Sequence, residues 1–410
     1  MELRRHPGTS PFVATLLALA GCQHMPDPAA ETSWQDRPAL AESAYLARFE
    51  AVAKAGGAFS YDILKPVPGA STSAMTVSEN GRSPIARSAI KKVMDYAGAT
   101  NSSALLIWHD GKLVAERYFE GNVAETLLVS KSLAKPLSAI AIGRAIALGK
   151  IRDLDQPVSH FITEWRGTPK ETMTIRHVLS MQSGLLEQAF APGPDNHWAR
   201  AYLDPYHERY IVHEYPLIDA PGSKFAYSNA TGDLVAIIIS RATGQKYEDF
   251  LSEQVLRPIG AVGGTIWLNR VEGVPHSGCC INLPAQSWLK LAILLLEDGK
   301  AGDQQILPRA FVAEMRKPSV HNPHYGLGVW LGQPYALRRG FAGPQSSLPK
   351  VLHSAPYLAD DLFLFDGNSN QVVYIIPSQK LVTLRMGSAP SKPAEWDNSF
   401  IPNTLFSGMP

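Results

Sequence analysis

Ser132-Leu133-Ala134-Lys135-Pro136-Leu137-Ser138-Ala139-Ile140-Ala141-Ile142 is the stretch on which the fold turns. Apolar residues fall on nearly every side of its helical wheel and Gly149 stands where a C-terminal cap belongs, so residues 133–148 read as a buried helix. Pro136 is tolerated only in a first turn, which sets the start near Ser132. Ser132 and Lys135 then share one face, one turn apart, where they can share a proton. The helix N-terminus adds unpartnered backbone N–H groups and a positive field, both suited to a developing oxyanion.

S-x-x-K alone is a weak signal, because Ser88-Ala89-Ile90-Lys91, Ser287-Trp288-Leu289-Lys290 and Ser347-Leu348-Pro349-Lys350 also match. Ser88 falls on the solvated face of an amphipathic helix. Ser287 reads as helical with Lys290 exposed, and Pro349 breaks the helix a match at Ser347 would need. Upstream of Ser132, two apolar runs flank His109-Asp110-Gly111-Lys112, a hairpin signal because Asp-Gly accepts positive φ.

A second constellation is Tyr227-Ser228-Asn229, the only tyrosine of 14 with Asn two places on. It follows the turn Asp219-Ala220-Pro221-Gly222-Ser223 and precedes an apolar helix over 234–240 that ends near Gly244. That puts it on a short loop able to face a cleft. By itself it would read as a packed tyrosine and a capping asparagine. Joined to Ser132 and Lys135 it points to acyl transfer through a serine ester.

With these motifs the chain resembles the serine β-lactamase and DD-peptidase superfamily, in the class C-related branch with carboxylesterases and 6-aminohexanoate-dimer hydrolases. The similarity runs from about residue 83 to 386. It includes Leu154-Asp155-Gln156-Pro157-Val158, Thr174-Ile175-Arg176-His177-Val178-Leu179-Ser180, Ala220-Pro221-Gly222-Ser223, Gly367 with Gln371, and Pro377-Ser378. The resemblance implies an α+β fold, an antiparallel β-sheet flanked by helices with a second, mostly helical lobe. It implies Ser132 as nucleophile, Lys135 and Tyr227 as proton-transfer partners, Asn229 for the substrate amide, and no cofactor or metal. Residues 81–150 and 276–410 would form the α/β lobe and 151–275 the helical one.

The family's third motif, a Lys-Thr-Gly or His-Thr-Gly strand, is altered. The matching strand is Leu362-Phe363-Leu364-Phe365-Asp366-Gly367, with Phe365 and Asp366 where a cation and a hydroxyl would hold a carboxylate. An aspartate in that space repels carboxylates, which argues against penicillins and D-alanyl-D-alanine peptides. Gly367 permits close approach to a carbonyl, and the expected oxyanion donors are the N–H groups of Ser132 and Asn368. His276-Ser277-Gly278 and His353-Ser354-Ala355 are rival third elements.

A serine hydroxyl needs a neighbour to remove its proton, and a lysine can do so only when burial or a nearby cation lowers its pKa. The apolar helix offers that burial. Residue type and spacing leave open whether Lys135 or Tyr227 takes the proton.

At the N-terminus, Glu2-Leu3-Arg4-Arg5-His6 is basic and residues 11–20 are apolar but too short to span a bilayer. Leu19-Ala20-Gly21-Cys22 resembles a bacterial lipobox, the alternative being an ordinary secretory signal with a coincidental cysteine. The lipobox reading predicts a signal peptide over 1–21, lipid on Cys22, and a periplasm-facing anchor in the outer membrane, with 22–80 as tether and extension. Cys279 and Cys280 read as two buried thiols, since adjacent cysteines rarely form an unstrained disulfide. His207 and His213 lack metal-ligand spacing and read as surface or cleft-wall residues. A net charge of +1 with 18% charged residues gives no electrostatic case for nucleic acid.

The aromatics of 198–215 (Trp198, Tyr202, Tyr206, Tyr210 and Tyr215) either wall an acyl pocket or pack a loop. The expected partner is a small ester or amide. The alternatives are a cell-wall peptidase or lactamase of the same superfamily, and a non-catalytic envelope binding protein.

Overall fold

The computed structural model describes residues 37–71, 75–77, 83–188, 193–342 and 350–410. The signal segment, Cys22 and the serine of the Ser347 match lie outside these residues. In chain order, α1 (Leu40–Lys54) and β1 (Leu64–Val67) lead to α2 (Arg87–Ala99), β2 (Ser102–His109), β3 (Lys112–Tyr118), β4 (Leu128–Val129) and α3 (Ala134–Ala147). The middle of the chain holds α4 (Ile175–Leu179), α5 (His197–Leu203), α6 (His207–His213), α7 (Asn229–Thr243), α8 (Tyr247–Phe250) and β5 (Gly264–Trp267). The return comprises β6 (Ile281–Leu283), α9 (Ala285–Leu296), the hairpin β7 (Lys300–Ala301) and β8 (Gln304–Gln305), α10 (Arg309–Met315) and β9 (Trp330–Leu331). It ends with β10 (Arg338–Arg339), β11 (Val351–Leu352), β12 (Phe363–Gly367), β13 (Gln371–Ile376), β14 (Leu381–Gly387) and α11 (Phe400–Ser407).

Six strands form an antiparallel sheet in the order β3-β2-β14-β13-β12-β9. Side chains alternate across it. Ala104, Leu106 and Trp108 of β2 join Phe363, Phe365, Val373 and Leu384 in one core with α3 and α9. Leu105 and Ile107 join Leu364, Val372 and Tyr374 in a second core under α2 and α11. Both faces are covered, which is why β2 is a continuous apolar run and not an alternating one. Asp110 (φ 40°) and Gly111 (φ 84°) make the expected hairpin turn.

A smaller antiparallel sheet, β1-β5-β6-β4, ties the N-terminal extension to the strand before α9. The span 151–275 carries five of the helices and β5, so that lobe is mostly helical. All described residues belong to one compact unit, Thr32–Pro410.

In α3 every residue from Ala134 to Gly143 is buried. Burying Leu137, Ile140 and Ile142 stabilises it by about 1.5–3 kcal/mol apiece. Gly149 adopts φ 67°, and the Lys150 amide donates to Ala145 O at 2.9 Å, closing the C-terminus as expected.

Four expectations are corrected. Lys290 is half-buried and donates to Gly260 O at 2.6 Å, because α9 lies against the 260–262 turn. His207 is buried, its ring stacked 3.9 Å from His276, so it is no surface residue. Cys279 and Cys280 are joined to each other in a disulfide. The apolar helix after Tyr227 begins five residues early, at Asn229 itself.

Candidate active site

The polypeptide enters the site through Lys131, a non-glycine residue at φ 50°, followed by a single 3₁₀ turn that feeds α3. This sparsely populated conformation throws Ser132 onto the floor of a cavity of about 550 Å³. Pro136 occupies the first turn of α3, where its missing N–H costs nothing. One turn on, the Lys135 ammonium nitrogen lies 3.2 Å from Ser132 Oγ, 2.7 Å from Asn229 Oδ1 and 2.9 Å from Gly278 O. It also sits 4.6 Å above the Tyr227 ring. The structure therefore brings Ser132, Lys135, Tyr227 and Asn229 together across 97 residues of sequence separation, from Ser132 to Asn229.

Burial pushes Lys135 from its usual 10.5 down to about 7, and the Asp233 carboxylate opposes part of that fall. Burial moves Tyr227 the other way, raising it, while its hydrogen bond with Ser132 partly offsets the effect. At neutral pH a lysine held at that value is about half neutral, whereas a buried tyrosine keeps its proton.

β12 delivers the remaining expected residues. Asp366, Gly367 and Asn368 line the cavity, while Phe365 points to the opposite side of β12 and is buried against the α3 core. A Cβ on Gly367 would fall 3.1 Å from Ser132 N and 2.9 Å from Leu133 Cδ1, so only glycine lets β12 approach the nucleophile turn this closely. Burial pushes the Asp366 carboxyl up to about 6, with the Asn398 amide (3.0 Å) and Arg339 acting against it. Asp366 thus stands in the pocket as expected, but as a partly neutral group.

Three contributors escaped the sequence reading. Asp233, buried on the second turn of α7, accepts from the Gly278 amide at 2.8 Å and lies 2.7 Å from His276 Nδ1. Through Gly278 it sets the carbonyl that receives Lys135. Arg385 is buried in β14 and donates to Ser369 O and Asn370 O, each at 3.0 Å, and to Asn101 O at 2.9 Å. It ties the turn carrying Asn368 to the sheet. Arg339 of β10 lines the pocket and donates to His353 Nε2 at 3.2 Å and to Leu331 O. His353 and His324 beside it are held down to about 3 and about 4, chiefly by burial, and stay neutral. None of the three stands next to a recognised motif. An aspartate directly before the apolar run of 234–240 was the one available signal.

His207, Asp233 and His276 are close enough to suggest a metal site. Their geometry is unsuited to one. The two imidazoles are near parallel, 3.9 Å apart, so no ion can lie in both ring planes, and His276 Nδ1 is engaged by Asp233. Of the aromatics in 198–215, Trp198 and Tyr202 line the cavity. Tyr210 and Tyr215 pack in the main core, and Tyr206 stacks with Arg270.

The Beta-lactamase family model matches residues 86–274 of this chain. A 6-aminohexanoate-dimer hydrolase of Paenarthrobacter ureafaciens is 22% identical over 234 residues, which is 52% of this chain and 56% of the relative. The matched stretch thus covers little more than half of that curated relative's length. A solved structure described as a putative 6-aminohexanoate-dimer hydrolase from Bacillus anthracis superposes with a TM-score of 0.62 at 20% identity, covering 94% of this chain and 96% of the other. EstCE1, described as a hydrolase with promiscuous acyltransferase activity, superposes at 0.58 with 17% identity, covering 78% and 97%. These likenesses establish the fold expected from the motifs, an antiparallel sheet flanked by helices with a mostly helical lobe.

Proposed function

We propose that this chain belongs to the β-lactamase/transpeptidase-like superfamily of serine hydrolases and cleaves a small ester or amide through an acyl-enzyme on Ser132. One observation carries the reading. The Lys135 nitrogen has two pure acceptors, Asn229 Oδ1 and Gly278 O, and one hydroxyl, Ser132 Oγ. A neutral amine has two N–H donors and one lone pair, so this set of partners directs the lone pair at the serine proton. Lys135 is accordingly the base. Tyr227, which keeps its proton, relays one to the leaving group. Ser132 Oγ attacks the carbonyl, and the N–H groups of Ser132 and Asn368 receive the oxyanion beside Gly367. Water then hydrolyses the ester with Lys135 again as base.

Arg339 favours a second reading in which the substrate bears a carboxylate, as β-lactams and cell-wall peptides do. Asp366, where a family hydroxyl would stand, weighs against it. Location in the bacterial envelope rests on the lipobox-like Leu19-Ala20-Gly21-Cys22, and incorporation of labelled palmitate that disappears in Cys22→Ser tests it.

The functional test is intact mass after treatment with a fluorophosphonate. One adduct on the wild type and none on Ser132→Ala is expected, and no adduct on either sinks the hydrolase reading. Penicillin turned over faster than simple esters would put the second reading first.

A further inference from the structure

The cavity has a wall that the matched family region does not supply. Phe59 and Tyr61 line it, together with Trp198 and Tyr202, and both precede residue 86. They sit on a strap, residues 55–63, that is fastened at each end. On one side α1 is clamped to α5, where Glu42 accepts two hydrogen bonds from Arg200 at 2.6 and 3.0 Å and the Arg200 guanidinium lies 3.9 Å over the Tyr45 ring. On the other, β1 pairs antiparallel with β5 from Leu64↔Trp267 to Val67↔Gly264. A segment held at both ends presents its side chains at fixed positions.

The rings form a continuous cluster. Phe59 meets Tyr202 edge to face at 5.0 Å and Trp198 at 6.1 Å, while Trp198 and Tyr202 stack at 5.4 Å. The Tyr61 hydroxyl accepts from Lys131 at 2.8 Å. Lys131 is the residue bonded to Ser132, so this wall begins beside the nucleophile. Rings arranged edge to face extend favourably to a further ring, whose positive edge meets a negative face.

We propose that the strap is the specificity-determining wall of this site, and that Phe59 and Tyr61 select a substrate carrying an aryl group adjoining the scissile bond. The proposal rests on the serine-hydrolase reading and names its substrate class.

Three esters test it. Methyl acetate carries no ring, phenyl acetate carries one on the leaving group, and methyl phenylacetate carries one on the acyl group. In Phe59→Ala the kcat/KM of one aryl ester relative to methyl acetate should fall by about tenfold, through KM, and Phe59→Leu, which keeps apolar volume without the ring, should lose most of the same preference. A ratio unchanged in Phe59→Ala, or retained in Phe59→Leu, overturns the proposal. If the wild type takes neither fluorophosphonate nor any ester, the hydrolase reading has failed. Calorimetric titration of Ser132→Ala with the two aryl esters then still judges the wall. Binding that Phe59→Ala leaves unweakened overturns it.

Discussion

Asp233 Oδ1 accepts the backbone N–H of Gly278 at 2.8 Å, and the carbonyl of the same Gly278 accepts the Lys135 nitrogen at 2.9 Å. One buried carboxylate thus both aims a partner of Lys135 and raises the Lys135 pKa through space. Lys135 must be neutral to act, so activity rises with pH through its pKa. Asp233→Asn removes the opposing charge and should move that acid limb of the kcat/KM profile to lower pH. A merely structural role would lower the rate and leave the limb in place.

Lys135→Ala should lower the acylation rate by about 10²–10⁴-fold, the usual worth of a general base, measured by the rate of fluorophosphonate labelling. It also has a signature in stability. The folded-state pKa of about 7 lies below the ordinary 10.5, so between those values the unfolded chain binds more protons and stability rises with pH. The penalty is full below about pH 7 and is relieved towards 10.5, a span on the order of 5 kcal/mol. Urea unfolding at pH 7 and pH 10 should show this slope in the wild type and lose it in Lys135→Ala.

Gly367→Ala should lower kcat about 10²-fold, as for loss of one oxyanion donor, with KM little changed. The added methyl must displace either β12 or the Ser132 turn. Steady-state kinetics on any accepted ester tests this, and an unperturbed kcat would remove Gly367 from the site.

Arg385→Ala should destabilise the protein by about 3 kcal/mol or more, because several buried carbonyls lose a charged donor at once. Urea midpoints measure this. At temperatures where the variant remains folded, acylation should also slow, since the Asn368 turn loses its tether.

Much of the site was legible because short-range periodicity carries it. Ser132, Lys135 and the helix after them obey a local rule, with an apolar wheel, a proline in the first turn and a glycine at the end. The Asp110-Gly111 hairpin obeys another. Tyr227 and Asn229 were legible only jointly with Ser132, because a Y-x-N triplet means little until a nucleophile exists for it to serve. The disulfide at Cys279 and the burial of His207 ran against priors that hold on average. Both depend on the turn at 276–280 folding under α7, which no local pattern announces.

What the sequence determined by itself was the secondary structure around the nucleophile and the kinds of groups available for acyl transfer, since both follow from residue type and spacing along one chain. Tertiary structure alone decided which of those groups loses its proton most readily near neutral pH. Burial moves the pKa values of Lys135 and Tyr227 in opposite directions, and that burial comes from packing between α3, α7 and the 276–280 turn for Lys135 and against Tyr325, Trp330 and Phe341 for Tyr227. It decided as well that an arginine on β10 and two aromatics from the N-terminal strap share a cavity with Ser132. Charge and shape at a site are sums over residues distant in sequence, and only the folded chain performs the sum.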